Sequence, residues 1–371
     1  MPLSSLARQD RYARAAWSRL AEPADLRALE LIAAVGAAAA LTHALSSDDP
    51  TYETFRMRAA RLDLDRDLDI AHRAGARLLV PDDADWPAGV DDHPAPPVCL
   101  WVRGPALLGQ LARRSVAVVG ARACTAYGDQ VATEFAVGLA DRGVTVVSGA
   151  AYGVDGSAHR GALSVDGPTV AVLAGGVDRP YPAQHARLID EIAGTGAVIS
   201  EVPPGSAPTR PRFLLRNRLI ASMTTGTVVV EAGLRSGSLN TARTAAEIGR
   251  PVGVVPGPIT SMMSAGCHQA RRDGYAEIVT DVDEVLDLVG AIGDDLAPRP
   301  SGEMLPTDGL EGLDAQVWAN VPVRRFEPAE AIALAAGVTT ASTIAALGRL
   351  ELSGFVLHDA AGWRKAPAGR G

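Results

Sequence analysis

A chain of 371 residues exceeds what one small core needs, so two or three domains are expected. Hydrophobic residues at 47% and charged residues at 21% exclude wholesale disorder. A net charge of −8 excludes a protein that coats nucleic acid through its overall charge, so any such binding has to be local.

In chain order, residues 1–75 read as a helical domain of SAM or helix-hairpin-helix type, with Leu20, Leu26, Leu29, Ile32 and Val35 near helical spacing and Gly36 as an interruption. Ala76 to Gly104 is rich in Pro and Asp, with strand-like pieces at Arg77–Val80 and Val98–Val102, and is expected to lie as a connector on the next domain. From Val116 the pattern alternates strictly. The strands are Val116–Val119, Val144–Val147, Thr169–Leu173, Ala197–Ile199, Thr227–Val230 and Val252–Val255, each followed by a loop and most by a helix. Six apolar strands alternating with helices specify an α/β fold with a doubly wound, Rossmann-like parallel sheet over residues 76–290. Right-handed crossovers put every post-strand loop on one edge of that sheet.

Residues 291–312 form a Gly/Pro/Asp-rich linker. Residues 313–371 follow a helix, turn, helix and hairpin pattern, which is that of a winged helix. Its second helix carries Arg349 as its one base, poor equipment for a DNA groove, so a protein contact or packing cap is the expected role.

The unusual chemistry lies in the post-strand loops. Gly120-Ala121-Arg122 offers backbone amides and a guanidinium to an anion. Ser148, Gly149, Gly153, Gly175 and Gly176 permit close backbone approach, although each glycine also suits a tight turn. Thr209 to Arg218 concentrates Arg210, Arg212, Arg216 and Arg218 around Phe213, with no acid, as an expected positive patch. Ser236-Gly237-Ser238 reads as a helix cap and phosphate cradle. Glu231 is a candidate general base or an orienter of arginines, and Asp155 and His159 are spaced to pair across a helical turn. No P-loop, nicotinamide fingerprint or GxSxG elbow is present, and no acidic cluster suits a two-metal nuclease. Binding without catalysis, cofactor or metal is the expectation.

Cys99, Cys124 and Cys267 show no metal-ligand or CxxC spacing and fit reduced thiols. The most apolar run, Ala28 to Leu41, carries Glu30 and is too short to span a bilayer, so no membrane insertion and a cytoplasmic location are expected.

The segments VAVVGAR, VSGAAYGVDGSAH, AVLAGGVDRPYP, RFLLRNRLI, VVVEAGLRSGSLNTA and SAGCH together resemble, in order, the signatures of the DNA-processing protein DprA (Smf) family over about Asp85 to Asp273. The resemblance implies a Rossmann-like protein without established catalytic activity, usually dimeric. It would bind single-stranded DNA, protect incoming strands and load the RecA recombinase during natural transformation. The implied DNA contacts are Arg122, Arg210, Phe213, Arg216, Asn217 and Arg218, with Gly149, Ser236 and Ser238 completing a phosphate pocket. Departures are Ala121 for a usual Ser, His185 for a usual Asn, and Ala270 and Arg271 for an apolar pair associated with dimerisation, which weakens the homodimer expectation. Two other readings stay open: a nucleoside-monophosphate phosphoribohydrolase, whose PGGxGTxxE motif is missing near Glu231, and a winged-helix DNA-binding regulator.

Overall fold

Val116 and Val118 face one side of a sheet while Ala117 and Val119 face the other, and all of them are buried. Because successive strand residues alternate in direction, burial of both sets requires helices on both faces. The computed structural model, which describes residues 10–290, 297 and 306–367, shows that arrangement. The chain divides into two units, Met1–Ala297 and Pro298–Gly371.

The first unit opens with α1 (Asp10–Leu20), α2 (Leu26–Val35), α3 (Ala37–Ser46), α4 (Glu53–Ala59) and α5 (Leu64–Arg73). Gly36, at φ +80°, lets the chain bend by 119° between α2 and α3. Gly36 has no side chain to cap α3, and Asp10 does so instead by accepting from the Ala37 amide at 2.9 Å. Trp17 packs edge-on against Phe55, at 5.2 Å between centroids, in the core of this layer.

The sheet has nine strands in the order β1-β2-β6-β5-β4-β3-β7-β8-β9. They are β1 (Ala76–Leu79), β2 (Leu100–Arg103), β3 (Ser115–Val119), β4 (Thr145–Ser148), β5 (Thr169–Val172), β6 (Ala197–Ser200), β7 (Gly226–Val229), β8 (Val252–Val254) and β9 (Glu277–Ile278). The six expected strands are β3 to β8, all parallel. The expected connector is in fact part of the sheet. β2 pairs antiparallel with β6 and β1 pairs with β2, because Leu100, Trp101 and Val102 are apolar on both faces and find burial only inside a sheet.

The remaining helices of this unit are α6 (Leu108–Arg113), α7 (Ala126–Asp141), α8 (Val154–Ser164), α9 (Ala186–Thr195), α10 (Arg210–Met223), α11 (Ser238–Glu247), α12 (Ala265–Arg272) and α13 (Val282–Val289). α10, α11 and α12 cover one face through Leu219, Leu239 and Cys267. α7, α8 and α13 cover the other through Phe135, Ala158 and Val285. α1, α5 and α9 share a cluster with Trp101 on that second face, so the N-terminal helices are packed on the sheet. Chain direction across the sheet reverses between β3 and β7, and a crevice opens at such a switch point.

In the second unit, α14 (Gly312–Asn320), α15 (Ala329–Ala336) and α16 (Thr340–Leu352) surround Val317, Ile332 and Leu347, and β10 (Val356–Asp359) pairs antiparallel with β11 (Gly362–Lys365). Gly337 ends α15 in the left-handed region, as the expected turn requires. Most of the linker expected at 291–312 lies outside the described residues, as do the first nine residues of the helical region. Among the described residues no single helix is long and apolar enough to cross a membrane.

Candidate nucleic-acid interface

A cleft of about 980 Å³ opens at the β3/β7 switch point, at the C-terminal ends of the strands. Gly120 and Arg122 enter it from the loop after β3. Arg210, Phe213, Arg216 and Asn217 enter from α10, and Arg235, Ser236, Gly237 and Ser238 from the loop after β7. Gly120 has no room for a side chain, since a Cβ would strike Val154 and press on the Glu231 carbonyl.

The basic run is helical from Arg210 onward, so its arginines fan around a cylinder and do not form the concentrated patch expected. Arg210, Phe213 and Asn217 share one face by their spacing and turn into the cleft. Arg212 leaves it, donating to Glu22 at 2.8 Å between α1 and α2. Arg218 is buried on another side, where it donates to both Glu201 oxygens at 2.5 and 2.6 Å.

Arg216 forms the floor. Its guanidinium donates to the carbonyls of Gly149, at 2.9 Å, and Val172. Gly149 lies beneath that guanidinium, and a Cβ there would overlap it. Burial pulls the Arg216 pKa down to about 10, with Asp155 pushing it back, so it remains a cation at neutral pH. Burial raises the Asp155 carboxyl, which accepts from the Gly149 and Ala151 amides at 3.2 and 3.3 Å. Asn217 donates to the Gly237 carbonyl at 3.1 Å and so ties α10 to the entrance of α11.

Ser236 and Ser238 place their hydroxyls 2.7 Å apart. Gly237 is the N-cap of α11 and has no side chain to cap with, while the Ser236 hydroxyl accepts from the Ser238 amide at 3.4 Å, so the serine cap comes from one residue earlier. Above the floor, the Arg122 guanidinium carbon sits 4.9 Å from the Phe213 ring centroid, a cation–π contact across the mouth. Tyr181 flanks Phe213 at 5.3 Å between centroids.

Besides Gly149 and Arg218, three further candidates lie outside the lining. Ser148 is buried and donates to the Val118 carbonyl at 2.7 Å. Gly175 and Gly176 pack against Pro208 and Gly205, and Gly176 donates to Ser206, which shapes the loop leading into α10. Two expected pairings are corrected as well. Glu231 orients no arginine; it accepts from the Thr125 amide and hydroxyl at 2.8 and 2.7 Å and so holds the N-cap of α7. Asp155 and His159 do not pair, because buried His159 donates through Nδ1 to Thr169 Oγ1 at 2.7 Å, and that hydroxyl in turn donates to Val146. The reading of the residues missed Arg235, Tyr181, Thr241 and Met263 as lining groups. Arg235 was legible as the one base between β7 and α11, whereas Tyr181 had only a motif position to mark it.

A model of the DNA recombination-mediator protein A family matches residues 77–290, which spans every lining residue and the sheet apart from Ala76 at its start. The chain belongs to that family. Within the DNA recombination-mediator protein A family it is 44% identical to the putative DNA processing protein DprA of Mycobacterium tuberculosis, over 95% of this chain and 94% of that one. It is 38% identical to protein Smf of Escherichia coli, over 70% and 69% of the two chains. The X-ray structure of DprA from Streptococcus pneumoniae superposes with a TM-score of 0.63 at 32% identity, covering 75% of this chain and 96% of that one. DNA processing protein A from Helicobacter pylori, whose structure gives insight into a single-stranded DNA binding mode, superposes with a TM-score of 0.52 at 29% identity, covering 57% and 94%.

Proposed function

We propose that the protein binds single-stranded DNA in the cleft at the β3/β7 switch point and delivers it to the RecA recombinase, in transformation or in other recombination. The observation that carries the reading is the Arg122–Phe213 contact at the mouth of a cleft whose floor is a third basic or aromatic group, Arg216. Guanidinium groups and the Ser236 and Ser238 hydroxyls at the start of α11 suit phosphates, and the ring suits a base. Only an unpaired base can reach Phe213, since a duplex turns its bases inward. Support comes also from the Helicobacter pylori relative, which is described for that binding mode.

We read the site as one of binding without turnover. The Ser236 and Ser238 hydroxyls face each other, and the Asp155 carboxylate is held by backbone amides, so no nucleophile and base are assembled there. We further propose that the second unit is a winged helix used for a protein contact or as a packing cap, since α16 carries one base, Arg349, already paired with Asp314 at 3.0 Å. A homodimer stays part of the proposal. Ala270 is buried in the core beneath α12, so a dimer contact on that helix would fall to exposed neighbours such as Arg271.

Fluorescence anisotropy of labelled oligonucleotides across a salt series tests the binding reading. A strong preference for single strand over duplex, weakened in Arg122→Ala and Arg210→Ala, is expected. Equal binding of duplex, or variants that bind like the wild type, would sink it. For RecA delivery, the protein should speed RecA assembly on a strand already coated by a single-strand-binding protein.

A further inference from the structure

Aromatic residues are scarce at 4% of the chain, yet they are not scattered. Among the described residues the exposed aromatic side chains are Tyr127, Tyr152 and Tyr181, and all three follow strands of the sheet at its C-terminal edge. The Tyr127 hydroxyl is tied to the Pro256 carbonyl at 2.7 Å. The other two continue from Phe213. Tyr181 lies 5.3 Å from the Phe213 ring, and the short helical turn Ala183–His185 leads on to His185, whose ring meets Tyr152 edge-on at 5.1 Å.

This second pair is held in place. His185 donates through Nδ1 to the Ala150 carbonyl at 3.0 Å, and the Tyr152 hydroxyl donates to Gln184. At Gly156 a Cβ would meet the His185 ring at 2.7 Å and the Arg160 guanidinium at 3.1 Å, so the absent side chain lets both groups approach. Arg160 is half exposed there, with Asp129 at 3.9 Å. A large apolar ring kept in water with its edge fixed by neighbours is what a base needs on which to stack.

We propose that Tyr181 and then Tyr152 with His185 form a second stacking segment, which takes the nucleobases of the strand as it leaves the cleft over the loops after β5 and β4. This rests on the reading of the cleft as a single-strand site, and it adds a direction of travel: away from the Ser236–Ser238 side and toward α8. Arg160 stands beside the track where a phosphate would pass.

The test compares homopolymer oligonucleotides of about 4, 8 and 16 nucleotides, the range of usual site sizes. In the wild type, affinity should rise with length beyond what the cleft alone holds. In Tyr152→Ala the longest strand should bind about tenfold more weakly, so that the gain with length is lost. Tyr152→Phe keeps the ring and should keep the gain. A strand carrying 5-iodouracil should photocrosslink to Tyr152 in the wild type. If Arg122→Ala weakens every length but Tyr152→Ala matches the wild type at all of them, and no crosslink maps to Tyr152, the track is overturned while the cleft reading stands. If the wild type binds no strand of any length, both fall.

Discussion

Arg122, in the loop after β3, and Phe213, on α10, meet with 4.9 Å between guanidinium carbon and ring centroid. The contact orients a planar cation over a planar ring at the mouth of the cleft, with the tilted Tyr181 ring 5.3 Å away between centroids. Arg122 is exposed and so can exchange this contact for a phosphate without breaking the fold.

Arg122→Ala should therefore change binding and spare stability. We expect the dependence of log affinity on log salt to fall by about one unit, the signature of one lost phosphate contact. Urea unfolding should match the wild type within about 0.5 kcal/mol, as for a surface substitution. A large loss of stability would contradict a binding role.

Arg218 should behave in the opposite way. It is buried against Glu201, and its Nε and Nη1 atoms have no partner. Glu201→Gln leaves a guanidinium in the core without its counter-charge, which costs about 3–5 kcal/mol. Arg218→Met, which removes the cation, should cost less against the Glu201→Gln variant as background. Urea unfolding of the two single variants and the double variant checks this.

The Glu22–Arg212 pair links the α1–α2 turn to α10. Hydrogen bonding from Arg212 holds the Glu22 carboxyl below its ordinary value of 4.5. A group depressed on folding stabilises the native state above its unfolded pKa and ceases to do so as pH falls through the folded value. Thermal melts from pH 7 down to below pH 4 should show the wild type losing an advantage over Glu22→Gln only below about pH 4.5. The pair is part exposed, so the effect is small.

Thiol reactivity should follow burial. Burial pushes Cys99 and Cys267 up to about 12, while Cys124 is raised less and is partly accessible. Alkylation of the native protein at pH 8, followed by peptide mass analysis, should label Cys124 first and the others only on unfolding.

Sequence periodicity was enough for the parallel sheet, because buried strands are apolar on both faces and the crossover has one hand. From this it followed that the loops after β3, β6 and β7 meet at one edge, and they do. Even the motif order sufficed to place the chain in its family. The two edge strands were less legible, since Pro and Asp runs surround them and strand pairing is a long-range choice.

Which arginine does what was decided only in three dimensions. Arg210, Arg212, Arg216 and Arg218 look alike along the chain. Helix phase separates their directions, and partners far away in sequence settle their states: Glu22 for Arg212, the Gly149 and Val172 carbonyls for Arg216, and Glu201 for Arg218. Local spacing sets where a side chain points, whereas a charge is neutralised, buried or left free by whatever the fold brings against it.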